Sequence, residues 1–296
     1  MTRITEGYLV RHCQGMQSAR DAALLDIAQD HVLFHLHNLG LFDQGLVFKG
    51  GTALRKYRAG ASGRFSTDLD FATSDESLVL NVFDALQGTE VDGFFFDISD
   101  LGDDGRRAKL LVNTPFGTPN IMSKLELSRH DPVLSPEHLP MISMPIHKLY
   151  CFTSPVLPIV RFEEAIAEKL ARFRRVALAR DLYDLYWLAQ KPFNESLVRR
   201  LWILKTYEDI VLEKRGSGPI EPDQVLKERY ADEFLREDIG FLVGNIDIPA
   251  WIASVQNRYS FLKALDDEEC QWSMCNPRDK HSVSQALLSI SRSDGF

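Results

Sequence analysis

Residues 45–73 read GLVFKGGTALRKYRAGASGRFSTDLDFAT. Leu46, Val47 and Phe48 predict a short buried strand, and Gly50 and Gly51 permit a tight turn into a helix that begins near Thr52. Backbone N–H groups at such a helix start can face an anion, and glycine allows close approach. A basic, serine-containing loop follows and ends at Asp68 and Asp70. In an extended segment alternate side chains share a face, so both carboxylates can approach one cation. Hard oxygen ligands suit magnesium, which keeps several waters and binds through one or two carboxylates plus substrate phosphates. The order points to a device for holding a nucleoside triphosphate and a divalent metal. Each half has a plainer alternative, a turn that is only a turn and two solvated acids at a strand edge.

Working outward, apolar residues from about Ser18 to Leu39 recur at helical spacing, with Gly40 as a stop. Beyond Asp70 the pattern predicts a helix over Glu76–Leu86 and extended segments over Gly93–Ile98, Ala108–Val112 and Ile121–Ser128. An α/β or α+β domain follows. Prolines at 132, 136, 140, 145, 155 and 158, with a strand-like MISMPI among them (141–146), place a domain boundary near residue 150. From Val160 onward the sequence predicts helices over 160–176, 179–190 and 195–211, weaker ones over 224–235, 250–265 and 282–290, and a frayed end over 291–296. The two expected domains are 1–150 and 151–296.

A chain of 296 residues with 45% apolar content is long enough for two cores. A net charge of -8 argues against broad non-specific nucleic-acid binding, although a local basic patch can still engage a phosphate backbone. The four cysteines, Cys13, Cys151, Cys270 and Cys275, form no CxxC pair and have no histidines at zinc-finger spacing, so they read as reduced thiols. The N-terminus has no apolar signal region and no run approaches the roughly 18 apolar residues of a membrane span. The expectation is a cytoplasmic protein without a membrane partner.

Further acids and bases are candidates for the same chemistry. In Ser123–Ser128, Lys124, Glu126 and Ser128 share one face; Glu126 either completes a three-carboxylate cluster or lies on a solvated strand face. On the helix Arg161–Arg175, Phe162, Ala165, Ile166 and Phe173 line one stripe with Lys169 near its centre, while Glu163, Glu164 and Glu168 fall on the other faces. Such a lysine either reaches a partner or cleft, since a buried unpaired ammonium is costly, or snorkels to water. The next helix is apolar nearly all round, so Asp181 and Asp184 must pair, with Lys169 or Arg180 as partners or in a structural ion pair. Basic residues cluster at Arg55, Lys56, Arg58 and Arg64 and again over 161–180, where they either meet phosphates or form solvated faces. The eight histidines show neither HExxH nor a clear triad order, so the sequence offers no case for hydrolysis by a triad.

Taken together, Phe48-Lys49-Gly50-Gly51-Thr52-Ala53-Leu54, then Arg64-Phe65-Ser66-Thr67-Asp68-Leu69-Asp70-Phe71, then Lys169 and the Arg180–Leu185 run resemble the AbiEii/MenT nucleotidyltransferase toxins, of the DNA polymerase β-like superfamily. The resemblance spans roughly Leu46 to Ala189. It implies an α+β fold, a polymerase β-like nucleotidyltransferase core with a mixed sheet followed by a mainly helical region that completes the nucleotide cleft. By motif, Gly50, Gly51 and Thr52 would cradle the triphosphate with Arg64, Ser66 and Lys169. Asp68 and Asp70 would hold magnesium or manganese, with Glu126 as the third carboxylate. Lys169 matches the lysine of the third motif, and Asp184, with Asp181 as a close alternative, the acid of the fourth. Ser66 matches a serine at which some members are silenced by phosphorylation.

The resemblance further implies transfer of NMP from an NTP to the 3′ acceptor end of tRNA, blocking translation, with a cognate antitoxin as partner. Two alternatives stand beside it. One is transfer to a small molecule or a protein hydroxyl; the other is a non-catalytic module that binds nucleotide or RNA.

Overall fold

The computed structural model describes residues 4–13, 20–234, 242 and 245–294. Two compact units divide it, Met1–Pro132 with Pro136–Val160, and Val133–Ser135 with Arg161–Phe296. Among the described residues no helix is long and apolar enough to cross a membrane.

The first unit begins with α1 (Glu6–His12) and α2 (Arg20–Asn38). Then come β1 (Val47–Lys49) and α3 (Gly50–Leu54), which continues as a π turn over Arg55–Ala59. Next are β2 (Asp68–Ala72), α4 (Glu76–Leu86), β3 (Thr89–Val91), β4 (Phe94–Ser99), β5 (Arg107–Thr114), β6 (Gly117–Ser128), β7 (Glu137–Pro140) and β8 (Val156–Ile159). The strands form one mixed sheet in the order β3-β4-β5-β6-β2-β1-β8-β7. β2 is antiparallel to β1 and parallel to β6, and β1 is parallel to β8.

Alternation decides which face is covered. Leu69, Phe71, Ala108, Leu110, Val112, Leu125 and Leu127 are buried, and α2 packs on β5 and β6 while α4 packs on β4. Asp68, Asp70, Lys124 and Glu126 point to the opposite face, as the period of two requires. The Asp75 carboxylate caps α4 by accepting the N–H groups of Ser77 and Leu78, which fixes its start at Glu76.

The second unit is helical: α5 (Phe162–Arg175), α6 (Ala179–Ala189), α7 (Glu195–Tyr207), α8 (Asp223–Leu226), α9 (Ile248–Arg258), α10 (Asp267–Ser273) and α11 (Lys280–Asp294). α5 packs on α6 and α7, and α6 packs on α9. Trp202, Tyr207, Tyr259 and Phe173 are fully buried and form its core.

The expected helix 18–39 is present from Arg20; Ser18 and Ala19 lie outside the described residues. Over 141–146 no strand forms: the strand sits earlier, at β7, and Pro145 opens a 3-10 turn over Pro145–Leu149. Over 224–234 the expected helix 224–235 is replaced by the single turn α8 and a 3-10 turn over Ala231–Glu233; residue 235 lies outside the described residues. There the Gln224 side chain spends itself on loop backbone, donating to the Pro219 carbonyl and accepting from the Glu221 N–H. The end expected to fray is helical through Asp294; residues 295–296 lie outside the described residues.

Candidate active site

β1 delivers the chain to Gly50, whose φ of +79° is the left-handed conformation glycine adopts without cost. A side chain here would collide with the Asp70 carboxylate, so the backbone of the turn and the second acid are in direct contact. A Cβ on Gly51 would stand 2.7 Å from Nη2 of Arg64 and 2.9 Å from Oγ of Ser66. The turn therefore touches Asp70 on one side and Arg64 with Ser66 on the other, as the motif order in the sequence anticipates. Arg64 and Ser66 are both buried.

Thr52 differs from its expected part. It is fully buried and its hydroxyl donates to the main-chain carbonyl of Asp68, so it holds the acid-bearing strand instead of standing free toward a phosphate. Thr67 donates its hydroxyl to Oδ1 of Asp68 at 3.0 Å.

Strand register arranges the charges around the acids. Lys49 lies opposite Asp70 across β1, Glu126 beside Asp70 and Lys124 beside Asp68 across β6. Glu126 is thus a neighbour of Asp70, yet its carboxylate is drawn into an ion pair with Lys124. Among the described residues no three His, Cys, Asp or Glu side chains converge as a metal site, so the expected three-carboxylate cluster is not assembled. The donor chemistry of Asp68 and Asp70, hard oxygens on one strand face, is nevertheless that of a magnesium or manganese ligand pair.

Three of the four clustered basic residues, read as phosphate contacts or a solvated face, pair with acids of the same unit. Arg55 and Lys56 are buried: Arg55 grips Asp26 through Nε at 2.9 Å and Nη2 at 3.2 Å, and Lys56 reaches Oδ1 of Asp26 at 3.0 Å and Oδ1 of Asp30 at 2.6 Å. Arg58 pairs with Glu137 and donates to the Val160 carbonyl at 3.0 Å. Burial would raise the Asp26 carboxyl, but the Arg55 guanidinium and Lys56 ammonium more than offset it and leave it well below the ordinary range. Burial opposes Asp30 likewise, and Lys56 with His147 holds it at about 2. The signal for this cluster was present in α2, where Asp26, Gln29 and Asp30 fall at helical spacing on an otherwise apolar run.

In the second unit the ammonium of Lys169 lies 2.7 Å from Oδ2 of Asp184 and 3.6 Å from Oδ1 of Asp181. Both expected acids hold it, and Asp181 also accepts from Nε of Arg172 at 3.1 Å. The side chain of Lys169 keeps 12% exposure, so it neither sinks fully nor snorkels free. Glu164, expected on an outer face of α5, is fully buried instead. It accepts the N–H groups of Val133 and Leu134, each at 2.9 Å, and pairs with Lys205 at 2.6 Å. Of the arginines over 161–180, read as phosphate contacts or a solvated face, Arg172 pairs with Asp181 and Arg175 with Asp209 while both side chains stay partly open to solvent.

The sequence model described as "Nucleotidyl transferase AbiEii toxin, Type IV TA system" matches residues 31–256. The solved structure of MenT4, a nucleotidyltransferase toxin from Mycobacterium tuberculosis, is 46% identical, with a TM-score of 0.93 over 97% of this chain and 99% of that one. JHP933 from Helicobacter pylori is 20% identical, covering 92% of this chain and 98% of that one with a TM-score of 0.47. No curated protein matches the chain.

Proposed function

We propose that this chain, which belongs to the AbiEii family of nucleotidyl transferase toxins of type IV toxin–antitoxin systems, transfers NMP from an NTP to the 3′ acceptor end of tRNA, releases pyrophosphate and so blocks translation. The observation that carries the reading is the contact of the Gly50–Gly51 turn with Asp70 and with Arg64 and Ser66. That contact sets the Asp70 carboxylate, a guanidinium, a hydroxyl and glycine backbone within one small region, with Asp68 on the same strand face two residues before Asp70. A cognate antitoxin is the partner that membership of such a system implies.

A magnesium or manganese ion held by Asp68 and Asp70 would supply Lewis-acid polarisation of the α-phosphate and charge stabilisation of the leaving pyrophosphate. The residues do the rest. The terminal hydroxyl oxygen of the acceptor attacks the α-phosphorus, its bond to the bridging β-oxygen breaks, and the hydroxyl proton passes to the Glu126 carboxylate. Arg64, with Gly51 and Ser66, binds the triphosphate. Lys169, oriented by Asp184 and Asp181, neutralises charge that builds on the phosphates, since positioning and electrostatics carry most of phosphoryl catalysis.

The test is incubation of the protein with total tRNA and each labelled NTP in turn. Lengthened, labelled RNA with release of pyrophosphate is the expected result. Label that appears only in protein or small-molecule fractions, or binding without pyrophosphate release, would overturn it.

A further inference from the structure

The loop that leads into the acids is held by its carbonyl oxygens, and the donors come from several different elements. Nη1 of Arg55, from the π turn, donates to the Gly63 carbonyl. Nε2 of Gln29, from α2, donates to the Ser66 carbonyl at 3.1 Å. Oγ of Ser123, from β6, donates to the Thr67 carbonyl at 2.7 Å, and Thr52 donates to that of Asp68. Within the loop itself, Nη1 of Arg64 donates to the Phe65 carbonyl at 3.0 Å.

Arg55 is itself fixed from behind. Asp26 takes its Nε and Nη2, and the same carboxylate receives Lys56 and, at 2.8 Å, Nε2 of His12. The guanidinium carbon stands 4.0 Å over the Phe65 ring, whose edge meets His12. Buried ions of this kind cost desolvation, and apolar side chains of similar size often give equal or greater stability. What apolar side chains cannot give is a fork that points at Asp26 and at a loop carbonyl together.

We infer that Arg55, aimed by Asp26, and Gln29 are positioning residues for the nucleotidyl transfer reaction: they hold the Gly63–Asp68 loop so that Arg64, Ser66, Asp68 and Asp70 keep their places around the glycine turn. The inference rests on the reading that this region carries the reaction. Neither Arg55 nor Gln29 touches substrate; both act through backbone. A loop released from these bonds still carries every reacting side chain and presents them out of register, and displacement of about an ångström costs on the order of a hundredfold in rate.

Four variants test it. Arg55→Lys keeps the charge against Asp26 and lacks the fork; Gln29→Leu removes one donor outside the ion cluster; Thr52→Val and its hydroxyl-bearing counterpart Thr52→Ser form a matched pair. Pyrophosphate release is measured with NTP and total tRNA, together with the denaturant midpoint and hydrogen exchange of the 63–70 peptide. The expected result is a cooperative unfolding transition, a kcat lower by roughly tenfold to a hundredfold with KM for NTP within about threefold, and faster exchange confined to that peptide. Thr52→Ser retains most of the rate that Thr52→Val loses. Unchanged kcat in folded Gln29→Leu and Arg55→Lys, or losses that merely track the unfolded fraction, would overturn the inference while leaving the proposed reaction standing. Wild-type protein without any pyrophosphate release would overturn both.

Discussion

Lys169 Nζ sits 2.7 Å from Oδ2 of Asp184 and 3.6 Å from Oδ1 of Asp181, so the nearer acid orients the ammonium and the farther one is shared with Arg172. The two acids should separate on mutation. Asp184→Asn is expected to lower kcat more than Asp181→Asn, and Asp181→Asn to cost more stability, because the fully buried Asp181 joins two cations, Lys169 and Arg172. Lys169→Ala should lower kcat by about a hundredfold or more with its unfolding transition intact. Steady-state kinetics beside urea titrations reads both quantities.

Asp68→Ala and Asp70→Asn remove the hard oxygen donors of β2. Both are expected to abolish label transfer from NTP, and chelation of divalent cations should silence the wild-type protein until magnesium or manganese is returned. Transfer that persists through chelation would remove the metal from the mechanism.

Gly50→Ala places a methyl group against the Asp70 carboxylate at a φ of +79°. The left-handed backbone alone costs on the order of 1–3 kcal/mol. The variant should lose both stability and transfer activity, whereas Gly88→Ala, at a φ of +63° with open space around it, should lose stability alone.

Acid should find the buried cluster. Asp30 is held at about 2, below its ordinary value of 3.8, so its contribution is fully present above about pH 4 and is lost as pH falls toward 2. The shift corresponds to about 2 kcal/mol. Denaturant midpoints across that window are expected to fall, and Asp30→Asn should flatten the slope while lowering stability at neutral pH.

Much of this was legible in the sequence because local chemistry and periodicity agreed. The glycine turn, the paired acids and the short strand before them sit within one stretch, and α4 begins and ends where its cap and apolar spacing say. Lys169 and its two acids were legible because charge on an apolar helix demands a partner. Glu164 broke the same rule unseen, since two of its partners are the N–H groups of Val133 and Leu134 and no side-chain pattern reports a backbone donor. The roles of Arg55 and Lys56 were hidden for a related reason. Their counter-ions, Asp26 and Asp30, lie on α2, and a basic run beside a phosphate motif looks the same whether its charges face a ligand or an interior acid.

β8 has a consequence for how the protein is made. It lies parallel to β1 in the interior of the sheet, yet it is translated after every other strand of the described residues. Until Ile159 emerges to face Phe48, the strand that feeds the glycine turn has one bare edge, open to any extended chain nearby. The last strand off the ribosome is therefore the one that closes the sheet beside the reactive turn, and a nascent chain arrested before it would be prone to aggregate.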